Sequence, residues 1–189
     1  FDFYSNSFGS ISACQGMDYM PGATSINGAS IPANDQAAAI SYATAGNNIP
    51  VLTPYSVYIP TTSPFGCSSN SIKLNDNNSG GRTVGILEKE FIAGEVLVFD
   101  FALVFENPAS HSLAEQPFMT IRVFDQNGNL VQTRCVVSNP DDCIFNQANN
   151  SGTPILYSEW SCIKLNTGEL QGQKAKLQVT IGDCDLSGH

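Results

Sequence analysis

The sequence predicts an all-β fold, an antiparallel β-sandwich of jelly-roll-like form with a long loop-rich N-terminal segment. At least seven short apolar or alternating runs are separated by polar turn residues. Asn, Ser, Thr, Gly and Pro are abundant, whereas strong helix formers are scarce. A chain of 189 residues also suits one sandwich better than two domains. We therefore expect a single domain over 1–189, with a loop-rich, disulfide-anchored segment over 1–66 and a strand-rich core over 67–189.

The first 66 residues are predicted to form long loops with short edge strands. Phe1-Asp2-Phe3-Tyr4 is apolar and aromatic, as expected of a first strand entering a sheet. The alanine-rich stretch Asp35–Ile40 is expected to form a single helical turn.

Two apolar regions follow. Ser71–Leu74 and Arg82–Leu87 flank a polar turn of Asn, Asp, Ser and Gly, which predicts a hairpin. Val96–Phe105 is apolar on both faces except for Asp100. This pattern is typical of a central strand that is covered on both sides of its sheet.

The last third predicts a hairpin and two further strands. Phe118–Phe124 and Leu130–Val137 flank an Asn-Gly turn, the strongest short hairpin signal. Ile155–Trp160 is a strand candidate. Lys174–Ile181 alternates apolar and polar side chains and is expected to be a half-buried strand that needs neighbours. Because the chain stops shortly after it, we expect a segment of a longer protein.

The charge balance limits the classes of partner. The chain has 8 basic and 17 acidic residues and a net charge of −9, which would repel nucleic acid and anionic lipid headgroups. Charged residues make up only 13% of the composition, so solubility depends on neutral polar groups. The sequence contains no charged-then-apolar leader and no run of 18 apolar residues, so we expect neither an intact signal peptide nor a membrane span, and we expect the start of the chain to be a processed one.

Six cysteines without a C-x-x-C pair, in a chain with two histidines, favour disulfides over a zinc site and therefore an oxidising compartment. Six thiols allow 15 pairings, and the sequence alone does not choose among them. Ranking by proximity in sequence favours three pairs, namely Cys135 with Cys143, Cys162 with Cys184, and Cys14 with Cys67.

Few residues suit catalysis. His111 and His189 are the two histidines, and no nucleophile elbow, phosphate-binding glycine loop or paired-histidine metal motif accompanies them. Acidic pairs such as Asp141 with Asp142 could serve a glycosidase, but adjacent acids in turns are far more often solvated. We therefore expect no enzyme and no catalytic residue.

Calcium is the one cofactor that the sequence brings into consideration. Asp76 and Asn78 lie in an oxygen-rich turn, and Asp183 and Asp185 follow the last strand. The turn has Leu87 where an EF-hand requires a closing acidic residue, so that motif fails. A hydrogen-bonded turn without metal is the alternative interpretation.

Exposed aromatic rings are the usual contact surface for sugars. Most phenylalanines lie in strand patterns and are assigned to the core. The candidates for glycan contact are Tyr42, Tyr55, Tyr58 and Trp160.

Several short motifs occur in an order that resembles a known module. They are Ser71–Asn75, Gly81–Gly85, Glu106–Pro108 with His111, Gln116–Phe118, Asp125–Asn129, Tyr157–Trp160, Gly182–Cys184 and Ser187–His189. Together they span roughly residues 65 to 189 and resemble a β-sandwich module of large Bacteroidetes surface adhesins and gliding-motility-type proteins exported by type IX secretion. The resemblance implies an extracellular domain with no catalytic residues to transfer.

The resemblance also implies a difference at the C-terminus. Modules of this type usually continue past the Gly-His with an aromatic, glycine-rich strand, and that strand is missing here. We expect a fragment of a longer protein, with a truncated form or a strand donated by a neighbouring subunit as the alternatives.

Together these observations predict a non-enzymatic adhesion or structural module of a bacterial cell-surface protein or filament, located outside the cell. Its expected partners are neighbouring domains of the same chain or sister subunits, and surface glycans. Two alternatives stay open: a carbohydrate-binding accessory domain of a secreted enzyme, and a self-assembling pilus-like subunit completed by strand donation.

Overall fold

The fold was analysed in a computed structural model that describes residues 2–7, 14, 26–27, 37–41, 48–52, 57–60, 63–65, 70–74, 83–148 and 154–184. These residues form fifteen strands and two single-turn 3-10 helices, Leu113–Glu115 and Gly168–Leu170. The strands are β1 Asp2–Ser7, β2 Ile26–Asn27, β3 Ala37–Ser41, β4 Asn48–Leu52, β5 Val57–Pro60, β6 Asn70–Leu74, β7 Thr83–Ile92, β8 Val96–Phe101, β9 Val104–Glu106, β10 Phe118–Asp125, β11 Leu130–Val137, β12 Asn146–Ala148, β13 Ile155–Tyr157, β14 Ser161–Asn166 and β15 Lys174–Gly182. The all-β prediction is confirmed, and every pairing is antiparallel.

The larger layer is a six-stranded sheet with the order β11-β10-β15-β7-β1-β2. Its central strand β15 is the predicted Lys174–Ile181 strand. Val179 lies opposite Ile121 on one side and Leu87 on the other. The last described strand is therefore held by two full ladders.

The second layer is a kinked ribbon. β8 pairs with β14, and β9 pairs with β13, which also pairs with β12. Between the two ladders, Leu103 N–H donates to Ser158 Oγ and Ser158 N–H donates to Leu103 O, both at 2.9 Å. The buried Ser158 side chain therefore replaces a main-chain acceptor where the regular pairing is interrupted.

The hydrophobic core lies between these layers, as expected of a sandwich. The six-stranded sheet contributes side chains from β7, β10 and β15, and the ribbon contributes Phe101, Phe105 and Leu165. The buried members of this cluster are Leu87, Ala93, Phe101, Leu103, Phe105, Met119, Ile121, Val123, Leu165, Leu170, Ala175, Leu177 and Val179.

Part of the opposite face of the six-stranded sheet is buried as well, around Thr120 and Thr180, so the last strand is covered on both faces there, whereas Lys174 at its start is exposed. Val84, Ile86 and Phe118 form a second apolar cluster there. Thr120 and Thr180, which face each other in the register, are almost completely buried. Sequence alternation separated the two faces correctly, but it could not show that the polar face is also partly covered.

Three local predictions are wrong. Ser71–Leu74 does not form a hairpin with 82–87, because β6 pairs with β3 and β7 pairs with β1 and β15. Val96–Phe105 is not one covered strand, since it divides into β8 and β9 and leaves Val96 about half exposed. Asp35–Ile40 is not a helical turn; Ala37–Ser41 is a strand, where pairing with β6 overrides alanine's helix propensity.

The predicted β10–β11 hairpin is confirmed. Asp125 organises its turn by accepting hydrogen bonds from the N–H groups of Asn127 and Asn129, both at 2.8 Å. Gly128 adopts a φ of +84°, which glycine allows at no steric cost. The Asn-Gly signal therefore has a local physical basis.

The disulfide differs from the predicted pairing. Cys14 is bonded to Cys135 across a sequence separation of 121 residues, so Cys135 is not bonded to Cys143 and Cys14 is not bonded to Cys67, which lies outside the described residues. The predicted bond between Cys162 and Cys184 is not formed either. Cys135 lies on β11 beside Thr120. Its disulfide partner is therefore set by the position of β11 in the sheet rather than by proximity in sequence.

Loss of the Cys14–Cys135 bond is expected to lower the free energy of unfolding by about 2–5 kcal/mol, because the bond restricts a long loop in the unfolded chain. The double variant Cys14→Ser with Cys135→Ser tests this by urea unfolding. Cys143→Ser, which removes an exposed thiol, is the matched control and should change stability by less than about 0.5 kcal/mol. Equal stability of all three proteins would contradict the prediction.

Gly182→Ala is expected to destabilise the sheet by about 1–3 kcal/mol, since a Cβ at this position would overlap the Phe118 ring that lies over it. Phe118 is opposite Gly182 on β10 and almost completely buried, so its ring has little room to move. Thermal unfolding measures the effect. The control is Gly94→Ala, where the nearest atom to the new Cβ is 3.9 Å away and no loss is expected.

Candidate functional site

The outward face of β8 and β14 is exposed and includes apolar side chains. The core takes the alternate side chains Leu97, Phe99 and Phe101 of β8, together with Ile163 and Leu165 of β14. The other side chains therefore point away from the core. Val96 and Val98 are 48% and 47% exposed, and the residues opposite them, Asn166 and Lys164, are exposed too, as is Cys162 opposite Asp100.

One end of this face is fixed by side-chain hydrogen bonds. Trp160 Nε1 donates to Pro60 O at 2.7 Å. Ser63 Oγ donates to Asp100 Oδ2 at 2.8 Å, and Phe65 N–H donates to Ser63 Oγ at 3.2 Å. These bonds hold Phe65, which is 53% exposed, beside the Asp100 end of the face.

We call the surface made by these residues the platform; its members are Phe65, Val96, Val98, Asp100, Trp160, Cys162, Lys164 and Asn166. It joins apolar side chains to one carboxylate and one ammonium group. The Asp100 Oδ1 atom is buried and accepts no hydrogen bond within the described part of the chain. The platform can therefore offer apolar contact and a few hydrogen bonds, but no concentration of charge.

Of the predicted glycan contacts, the structure brings Trp160 to the platform. Tyr42 and Tyr55 lie outside the described residues, and Tyr58 belongs to β5, opposite Pro50. Sequence reasoning missed Phe65, Val96 and Val98. Because β8 is apolar on both faces, its pattern could not indicate which valines face solvent.

A polar network on the partly buried face of the six-stranded sheet was also missed. Glu88 Oε1 accepts a hydrogen bond from Gln178 Nε2 at 2.8 Å and lies 3.0 Å from Lys176 Nζ. Arg122 Nη1 donates to Gln178 Oε1 at 3.4 Å, and its guanidinium lies 4.7 Å from the Phe124 ring centroid. These contacts join side chains of neighbouring strands, which indicates a structural role.

A pocket of about 230 Å³ lies beside the β10–β11 turn. Its charged lining comes from Glu90, Asp125, Lys174 and Lys176, two of each sign. The Asp125 carboxylate already accepts hydrogen bonds from Asn127 and Asn129 within the turn. Hydrogen bonds from the Asn129 side chain and backbone, and from Asn127, hold the pKa of Asp125 below its ordinary value. The mixed charge gives the pocket no preference for a cation or an anion.

His111 is partly buried and lies beside a serine and a glutamate. Ser110 Oγ is 3.4 Å from His111 Nδ1, longer than a catalytic hydrogen bond, and the Nε2 atom is buried. The neighbouring Glu115 accepts hydrogen bonds from Ser112 Oγ and N–H at 2.7 Å. These bonds, with a smaller effect from the charge of His111, lower the pKa of Glu115. His189 lies outside the described residues.

The predicted calcium ligands are not brought together in the described chain. Asp76, Asn78 and Asp185 lie outside the described residues. Asp183 is buried, and its Oδ1 accepts a hydrogen bond from the Cys184 N–H at 2.8 Å. Within the described ranges, no three His, Cys, Asp or Glu side chains cluster as a metal site would require.

Comparisons with protein-family models, with curated proteins and with solved structures found no significant match. Among the described residues, no helix has the length and apolar character of a membrane span.

The Asp125 turn predicts a specific pH dependence. Because the folded pKa is depressed, this carboxylate stabilises the fold above its unfolded pKa near 3.8, and that contribution is lost as the pH falls through the folded value. When the pH is lowered from about 5 to about 2, we expect the free energy of unfolding of Asp125→Asn to fall less than that of the native protein. Urea unfolding at a series of pH values measures both. Glu169→Gln, which removes an exposed carboxylate elsewhere, is the control. Parallel pH profiles for native protein and Asp125→Asn would refute the expectation.

Proposed function

We propose that this chain is a non-enzymatic adhesion or structural module of a bacterial cell-surface protein or filament. The observation that carries the proposal is the platform, an exposed and partly apolar sheet face on a well-packed sandwich. Its valines remain about half exposed although the opposite side of the same strand is in the core. Exposed apolar residues that are grouped on one rigid surface are a common feature of binding sites.

The disulfide supports an extracellular location. Cys14–Cys135 joins residues far apart in sequence, and bonds of this kind persist in oxidising compartments. The net charge of −9 supports a partner other than nucleic acid or an anionic membrane. Assignment to the surface adhesins of Bacteroidetes and to type IX secretion is supported by the order of short motifs in the sequence.

The contacts at His111 support a role without catalysis. Its neighbour Glu115 accepts hydrogen bonds from Ser112, and Ser110 Oγ is 3.4 Å from His111 Nδ1. The carboxylates near the pocket are matched by two lysines rather than arranged as an acid and base pair.

The edge of the large sheet weighs against polymerisation by strand donation at β11. Within the described residues β11 has a neighbour on one side only. Arg134 Nη1 donates to Thr133 O at 3.1 Å on this exposed strand. A charged side chain that binds an edge carbonyl obstructs the addition of another strand.

Surface labelling and antibody blocking test the proposal. Fab fragments raised against the oxidised protein should label intact cells of the producing organism and reduce their attachment to a colonised surface severalfold. Fab fragments against a cytosolic protein provide the control and should do neither. Labelling that requires permeabilised cells, or labelling without any effect on attachment or on cell-surface assembly, would exclude the proposed role.

A further inference from the structure

We propose that the platform binds a neutral polysaccharide chain, an inference that rests on the adhesive function proposed above and names its partner and site. Four observations carry it: the size of the surface, its charge, the chemistry of its side chains and the bonds that fix them.

The size of the platform favours a narrow partner. β8 and β14 pair over six residues, which corresponds to roughly 20 Å by 10 Å, or about 200 Å² of sheet surface. A stable protein interface buries about 800 Å² on each partner. The platform is therefore too small to hold a second copy of the chain or another folded protein by itself, whereas an extended polymer a few sugar rings long matches its dimensions.

The charge of the platform favours a neutral partner. Asp100 and Lys164 are its two charged residues and are opposite in sign. The whole chain carries a net charge of −9, so uronate or sulfate polymers would be repelled on approach. A neutral polymer avoids this repulsion and has no need of a cationic cluster.

The side chains match the two surfaces of a sugar ring. The Phe65 ring and the methyl groups of Val96 and Val98 can contact the C–H face. Lys164 and Asn166, exposed across the ladder from the two valines, can hydrogen-bond to ring hydroxyls. Sites for small ligands generally combine apolar contact with a few placed polar groups in this way.

The platform is also fixed before binding. The Trp160 side chain is held by Pro60 O, and the main chain of Phe65 is held through Ser63 to Asp100. Side chains that are already ordered lose little conformational entropy when a ligand binds. The contacts that fix this end therefore favour affinity for a ligand that makes few interactions.

Binding measurements on the oxidised full chain test the proposal. The probes are insoluble cellulose and chitin, their soluble hexasaccharides, and polygalacturonate as the anionic comparison. We expect retention on at least one neutral polymer, little change in binding between low and high salt, and no retention on polygalacturonate. Val98→Asp and Phe65→Ala should each weaken binding about tenfold or more, with the thermal unfolding temperature measured to verify folding.

Leu113→Asp is the matched control, because Leu113 is an exposed apolar residue on a 3-10 helix outside the platform. It should bind like the native protein. The inference is overturned if no neutral polymer retains the native chain, if folded Val98→Asp binds equally well, or if light scattering shows a dimer that Val98→Asp dissociates. Fab labelling and attachment blocking that persist in those cases would leave the adhesive function standing without its glycan partner.

Discussion

The fold depends on the β10–β15–β7 triplet, which is buried on one face and on part of the other. One face packs against the ribbon through apolar side chains, and the other buries threonines, a glutamine and a carboxylate. Burial of polar groups is costly unless they are hydrogen-bonded, and Glu88, Gln178 and Arg122 meet this requirement for one another, whereas the buried Thr180 Oγ1 has no hydrogen-bond partner within the described residues. The central sheet is therefore constrained from both sides, and this constraint fixes its register.

The ribbon has the opposite character. Its inner side chains complete the core, while its outer side chains face solvent, so the same strand serves stability and recognition. The interruption at Leu103 and Ser158 separates the exposed β8–β14 part from the more buried β9–β13 part. Because Ser158 satisfies the main chain at this point, the ribbon can bend without leaving a buried N–H group unpaired.

Local signals in the sequence predicted what local chemistry determines. Asn127-Gly128 specified the β10–β11 turn, and alternation specified the last strand. The sequence did not predict in the same way which distant strands pair or which cysteines bond. The partner of β6 is β3 rather than β7, and Cys14 reaches Cys135 across most of the chain, since both are decided by how the layers assemble. The platform escaped detection because Val96 and Val98 are as apolar as the core residues between them, and exposure depends on the covering layer rather than on residue type.

The bond between Cys14 and Cys135 has a mechanical consequence. When a chain is pulled from its ends, tension passes through the shortest covalent path, which here runs across the sulfur bridge. The 121-residue separation it spans is withheld from extension, equivalent to roughly 400 Å of fully stretched polypeptide. When the sheets rupture, a domain with this bridge extends only through the residues outside it, roughly a third of its full contour length, and reduction of one bond would release the rest.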